Sequence, residues 1–239
     1  MYSDAVYQVT EFAKIQILKV NAGVLRDLKF PNSTCLINYT GNHEIRIKCA
    51  KNSTDHHCFS TLEDGDLYYL DAGTELSLKS LKAGCLLSLE MNNEEIGRTA
   101  PTTKRNSLRD IQWISNFVMH FAKSWKNDSD QMPEISSQDR WILLKYLCLT
   151  FNKVAVYSMK ARLFQATRYL LSTCQEILRD PCLQISPDRL SLKTTVLNNT
   201  ACFHQMIGET SIARKFLFKL MKTELKRGNM AGVFTKRLE

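Results

Sequence analysis

The chain is poor in the residues that punctuate or unfold a protein, with 9 Gly and 5 Pro among 239 residues. That scarcity excludes collagen-like chains and broadly disordered ones. No apolar run reaches the roughly 18 residues of a membrane span, and Met1 to Lys19 lacks the basic-then-apolar order of a secretory leader. The expected location is therefore the cytoplasm. Cysteines stand at 35, 49, 58, 85, 148, 174, 182 and 202 without one Cys-x-x-Cys pair, which excludes zinc-ribbon and thioredoxin patterns. They read as reduced, mostly buried small hydrophobes. In that setting the Asn-x-Ser/Thr triplets at Asn32, Asn38, Asn52, Asn127 and Asn198 are accidental. His56 and His57, near Cys49 and Cys58, lack helical ligand spacing and read as an ordinary loop, so no metal and no cofactor is expected.

What is present is an ordinary globular composition, 44% hydrophobic and 23% charged, with length for one large domain or two modest ones. Charge is divided unevenly. Residues 1–100 hold 10 Lys and Arg against 13 Asp and Glu, and residues 101–239 hold 22 against 11. Such asymmetry points to two parts with different surfaces, the second able to attract acidic partners. The cations are scattered rather than gathered in a run, so direct nucleic-acid binding is not expected.

The hydrophobic period changes near residue 103. Before it, Cys35 to Tyr39 is a strand closed by Thr40-Gly41; Ile45 to Cys49 alternates apolar and polar; Glu63 to Asp66 is a turn; Cys85 to Leu89 is another strand. Gly73 to Leu81 fits a strand's alternation and a short helix's three-residue step equally. After Pro101, apolar residues recur at three and four. Ile111, Ile114, Phe117, Val118 and Phe121 form one stripe; Trp141, Leu144 and Cys148 begin another; Phe164, Leu170 and Ile177 continue it. Asp188 or Ser186 is placed to cap the helix through Val196 and Phe203, and Gly208 and Gly228 to turn or end helices.

Two resemblances are carried by these segments. Asn152 to Leu170 and Asn198 to Leu217, with Ala201, Gly208, Ala213 and Leu217 at small, turn, small and large positions, resemble the tetratricopeptide repeat (TPR). Lys14 to Lys19, then Asn38-Tyr-Thr-Gly41, then Gly73 to Gly84 with its Lys82-Ala-Gly84 turn, are similar to FK506-binding immunophilins. Together they imply an α+β protein: an immunophilin-like antiparallel half-barrel with one short helix over residues 1–101, a helical connector over 102–147, and an all-α TPR-like repeat domain over 148–239.

The resemblance also places a prolyl-isomerase pocket, residue by residue. The family's pocket tyrosine matches Tyr39, its Val-Ile pair falls near Tyr68 and Tyr69, its flap tyrosine on Ile96, and Phe59 keeps an aromatic wall. Its Phe-Asp pair becomes Cys49 and Ala50, and its floor tryptophan becomes Ala72. Losing floor, acid and flap removes the pocket's shape and anchors, so the expectation is an inactive isomerase platform with no catalytic residue. In the repeats, the five positions that grip the acidic tail of the ninety-kilodalton heat-shock chaperone become Asn152, Val156, Asn198, Ala231 and Thr235. Only Asn198 is kept, and it fits a buried or capping role equally well. Lys222, Lys236 and Arg237 supply charge in altered geometry.

The functional expectation is a non-catalytic adaptor or co-chaperone, similar to the germline immunophilins that include Shutdown. That likeness would imply Argonaute-class complexes and Piwi-interacting RNA silencing. The alternatives are an AraC-type transcription regulator with a cupin-like N-terminal barrel, and an active prolyl isomerase.

Overall fold

Two long strands of opposite direction organise the N-terminal part. The structure is a computed structural model, and it describes residues 5–8, 13–48, 57–64, 66–70, 72–91, 108–128, 137–184 and 188–226. The chain divides into two units, Met1–Met132 and Pro133–Glu239. In the first, the strands are β1 (Ala5–Gln8), β2 (Ala13–Val20), β3 (Leu25–Phe30), β4 (Ser33–Lys48), β5 (His57–Leu62), β6 (Leu67–Leu70) and β7 (Thr74–Met91), followed by helix α1 (Leu108–Asp128).

β4 and β7 pair antiparallel along their whole lengths, from Ser33 opposite Met91 to Lys48 opposite Glu75. At one end β2 joins β7, β6 joins β4 and β1 extends β2; at the other end β3 joins β7 and β5 joins β4. The ladder is irregular between Asn38 and His43, and extra residues there bend the pair and raise its twist. Leu18, Phe30, Leu36, Ile45, Tyr68 and Leu78, from both ends of the long pair, share one apolar cluster. The two ends therefore fold face to face over a common interior. Burying each large side chain contributes about 1.5–3 kcal/mol.

The alternate residues Ile15, Ile17, Cys35, Ile37, Leu87 and Leu89 are also fully buried. Side chains alternate across a strand, so these point to the other face, and α1 lies against β2 and β4. Its Phe117, Val118 and Phe121, three members of the stripe seen in the sequence, are wholly buried. A sheet covered on both faces reads as nearly continuous apolar sequence, as in Cys35-Leu-Ile37 and Leu86-Leu87.

This arrangement overturns the immunophilin resemblance. Among the described residues no helix precedes α1, and Gly73 to Leu81, which the sequence left open between strand and short helix, leads into and forms the start of β7 with Leu76 and Leu78 turned into the core. Nor does Tyr39-Thr-Gly41 end a strand: it is the irregular middle of β4. The seven-stranded antiparallel unit fits the cupin-like alternative better.

The second unit is helical: α2 (Ser137–Lys160), α3 (Phe164–Ile177), α4 (Pro181–Gln184), α5 (Arg189–Met206) and α6 (Thr210–Lys226). α2 packs on α3 and α5 packs on α6. The first pair turns at Arg162, whose φ is 59°, and the second at Gly208, whose φ is 82°. Gly208 is followed by Glu209, whose N–H donates to the His204 carbonyl at 2.8 Å, a left-handed helix end. The TPR expectation is corrected here. α2 and α3 have 24 and 14 residues and α5 and α6 have 18 and 17, with α4 between the pairs. Unequal hairpins separated by an extra helix do not form a regular repeat array. Asp188 precedes α5 without capping it by its side chain; its carboxylate pairs with Lys145 of α2 instead. Arg140–Lys160 is long and apolar enough to cross a membrane, but 61% of that window is buried within the unit, as in the core helix of a globular fold.

Candidate interaction surface

The α5–α6 hairpin carries seven Lys and Arg between residues 189 and 226 against two acids, Glu209 and Glu224. On α6, Lys215, Lys219, Lys222 and Lys226 follow one another at steps of four, three and four, which sets them along one side of a helix. All four are exposed. The opposite side packs inward through Ala213 and Glu224. Glu224 is buried, so one of the two acids is withdrawn from the exposed stripe.

The other acid is engaged at the hairpin turn. Glu209 receives hydrogen bonds from His204 Nδ1 at 2.6 Å and from Arg168 of α3 at 3.1 Å. The His204 hydrogen bond holds the Glu209 carboxyl below its ordinary range; burial opposes it, and the Arg168 hydrogen bond and charge add to the lowering. The His204 ring stacks on Phe216 at 5.4 Å with planes 6° apart, and its other neighbour is the Phe203 ring at 5.3 Å. This cluster ties α3, α5 and α6 together at one end.

Along α6 and near the start of α5 the cations have no such arrangement among the described residues. Among the described residues no carboxylate stands within ion-pair distance of Lys193, Lys215, Lys219, Lys222 or Lys226. Burial lowers the Lys193 pKa, and the charges of Arg189, Lys226 and Lys219 lower it further. Like charges so placed repel one another unless an anion neutralises them. Two lysines rest on aromatic rings, Lys222 at 4.6 Å from the Phe218 centroid and Lys219 at 5.2 Å from that of Phe216. Phe218 is 57% exposed and Leu225 52% exposed.

Of the residues the sequence assigned to partner binding, Lys222 lies on this stripe, and Asn198 is half-buried on α5. Lys236 and Arg237 lie outside the described residues, as do Ala231 and Thr235. Asn152 is buried on α2, where its Oδ1 accepts a hydrogen bond from Asn199 at 3.0 Å. Sequence reasoning passed over Lys193, Lys215, Lys219 and Lys226. For Lys215, Lys219 and Lys226 the signal was their four-three-four spacing with Lys222.

The residues assigned to the isomerase pocket go to different places. Tyr68 is wholly buried in the interior with its hydroxyl 2.7 Å from Ser60 Oγ. Phe59 is 75% exposed, under the Arg46 guanidinium at 5.6 Å, and borders an open groove of about 610 Å3 with Leu25, Ser77 and Lys79. Tyr39 is half-buried in the middle of β4, and Tyr69 pairs with Cys35 along β6. Ile96, Cys49, Ala50 and His56 lie outside the described residues. Among the described residues no group of three His, Cys, Asp or Glu side chains is placed to hold a metal ion.

No family profile matches this sequence, and no curated protein is similar to it in sequence. Among solved structures, a conserved protein of unknown function from Streptococcus pyogenes is similar over 38% of this chain and 76% of its own, at 16% identity and a TM-score of 0.32. The cupin domain of Drosophila melanogaster CENP-C is similar over 33% of this chain and 59% of its own, at 16% identity and a TM-score of 0.27. Salicylate 1,2-dioxygenase from Pseudaminobacter salicylatoxidans is similar over 37% of this chain and 26% of its own, at 14% identity and a TM-score of 0.31. These local likenesses carry no statement about activity or partners.

Proposed function

We propose that this chain is a non-catalytic binding protein whose helical unit takes an acidic macromolecule on the α5–α6 face. The observation that carries the reading is the set of five lysines, Lys193, Lys215, Lys219, Lys222 and Lys226, without a carboxylate partner among the described residues. An unneutralised cationic face attracts anions and is relieved by them. The β-rich unit supports the non-catalytic part of the reading, because Leu36, Ile45, Tyr68 and Leu78 fill the interior between its two ends. Cytoplasmic residence agrees with the free thiols of Cys35, Cys85, Cys148, Cys174, Cys182 and Cys202.

The partner is defined here by chemistry alone, since the heat-shock chaperone and the Argonaute-class complexes entered through a resemblance that the fold overturns. The DNA-reading part of the regulator alternative asks for two helices crossing steeply at a short turn. Here α5 packs on α6 across the left-handed turn at Gly208, and Lys193 near the start of α5 feels the charge of Lys226 at the end of α6, so the helices lie antiparallel.

Titrating the full chain with a fluorescent poly-glutamate peptide at rising salt tests the reading. Affinity is expected to fall with salt, and K219Q/K222Q/K226Q is expected to weaken binding by about tenfold or more at low salt. Absence of binding, or equal binding by the variant, would sink it.

A further inference from the structure

Resting on that reading, we infer that the segment taken by the α5–α6 face is an acidic peptide stretch that also carries large apolar side chains. Three large hydrophobic residues of the hairpin are more than half exposed, Met206 at 51%, Phe218 at 57% and Leu225 at 52%. Phe218 and Leu225 are seven residues apart, so they share one side of α6 about 10 Å apart along the axis. Lys215 and Lys222 belong to that same row at steps of three and four, and Lys219 and Lys226 lie beside it. Apolar and cationic groups are thus interleaved rather than separated.

Interleaving selects among polyanions. A phosphodiester backbone is served by the lysines and gains from aromatic stacking, but an aliphatic Leu225 between two lysines adds nothing to phosphate contact. An anionic bilayer favours a helix whose apolar face is continuous and set apart from its charged face. The side of α6 opposite the lysines is instead turned inward, with Ala213 and Glu224 buried. A peptide whose acidic and apolar side chains alternate on the scale of a helical turn meets both kinds of group. Its carboxylates neutralise the lysines, and its apolar side chains cover Phe218 and Leu225. The Lys222 ammonium at 4.6 Å from the Phe218 ring centroid brings the two functions to one point.

The test uses the full chain and four probes of matched net charge: a peptide alternating Glu with Leu and Phe, poly-glutamate, a single-stranded RNA, and vesicles containing phosphatidylserine. The mixed peptide is expected to bind about tenfold more tightly than poly-glutamate, the size given by covering two half-exposed apolar side chains. F218S/L225S is expected to abolish that ratio, with an unaltered melting temperature showing that the fold is intact. Equal affinity for the two peptides, or RNA or vesicles binding more tightly than the mixed peptide, would overturn the inference and leave the cationic face standing. Failure of all four probes to bind, or K219Q/K222Q/K226Q binding each as the wild type does, would overturn both.

Discussion

Gly41 and Gly84 meet where the two longest strands cross, so closely that a Cβ on Gly41 would stand 2.8 Å from the Gly84 Cα. From the other side, a Cβ on Gly84 would lie 1.9 Å from the Thr40 carbonyl oxygen. Both obstacles are backbone, which cannot rotate away. The crossing lies within the irregular stretch of the β4–β7 ladder and lets the ends of the unit face each other.

Gly84→Ala is therefore expected to destabilise the protein by about 3 kcal/mol or more, at the upper end of overpacking effects. Gly23 provides the comparison, with φ of 78° and nothing within 4 Å of its Cβ position. Gly23→Ala should lose only about 1 kcal/mol, from the left-handed backbone alone. Urea unfolding midpoints measure both, and equal losses would show that the crossing is not close-packed.

The same crossing contains His43, wholly buried, with Nδ1 3.1 Å from Ser80 Oγ and Nε2 without a hydrogen-bond partner. Burial pushes its pKa below 6.5, and the Thr40 backbone and the Asp64 charge oppose that in part. The unfolded chain then binds more protons than the folded one between the lowered value and 6.5. Stability is full above 6.5 and falls as pH drops through it toward the folded value. His43→Gln does not titrate and should show a shallower loss of urea stability between about pH 8 and about pH 5. Equal slopes in the two proteins would refute this.

The glycine pair also explains how far the sequence could be read. The change of period near residue 103 was visible, since β7 ends at Met91 and α1 begins at Leu108 with its stripe buried. The strand at Gly73 to Leu81 was not settled, because the end of a long strand alternates only until the crossing interrupts it. Tyr-Thr-Gly41 and Lys-Ala-Gly84 looked like the end of a strand and the close of a helix. In the structure they are the two sides of one backbone contact. A local pattern records that a glycine is needed, while the reason for it came from the opposite strand. The cationic stripe was legible as spacing, but its lack of acid partners needed the places of Glu209 and Glu224.

Asn152 offers a test of the helical unit's interior. It is buried, and its Oδ1 accepts from Asn199 Nδ2 at 3.0 Å, joining α2 to α5. Asn152→Ala removes that acceptor and leaves the Asn199 amide to find another. A loss of about 1–2 kcal/mol in urea unfolding is expected, the usual result of breaking a buried side-chain hydrogen bond. Poly-glutamate affinity should stay as in the wild type, because Asn152 lies off the exposed stripe. A weakened affinity with unchanged stability would return Asn152 to a ligand-binding role.

The thiols give a last prediction that separates burial from chemistry. Burial raises the Cys35 pKa to about 12, and burial first, then the neighbouring Cys148, raises that of Cys174. Cys148 is itself buried, and Cys202 on α5 is exposed. Alkylation proceeds through the thiolate and needs access for the reagent. Iodoacetamide at about pH 8 is therefore expected to modify Cys202 well before Cys35, Cys148 or Cys174. In denaturant the differences should vanish, because the raised pKa values belong to the folded interior. Peptide mapping by mass spectrometry reads the order. Early labelling of Cys35 without denaturant would mean that β4 opens to solvent more easily than its two buried faces allow.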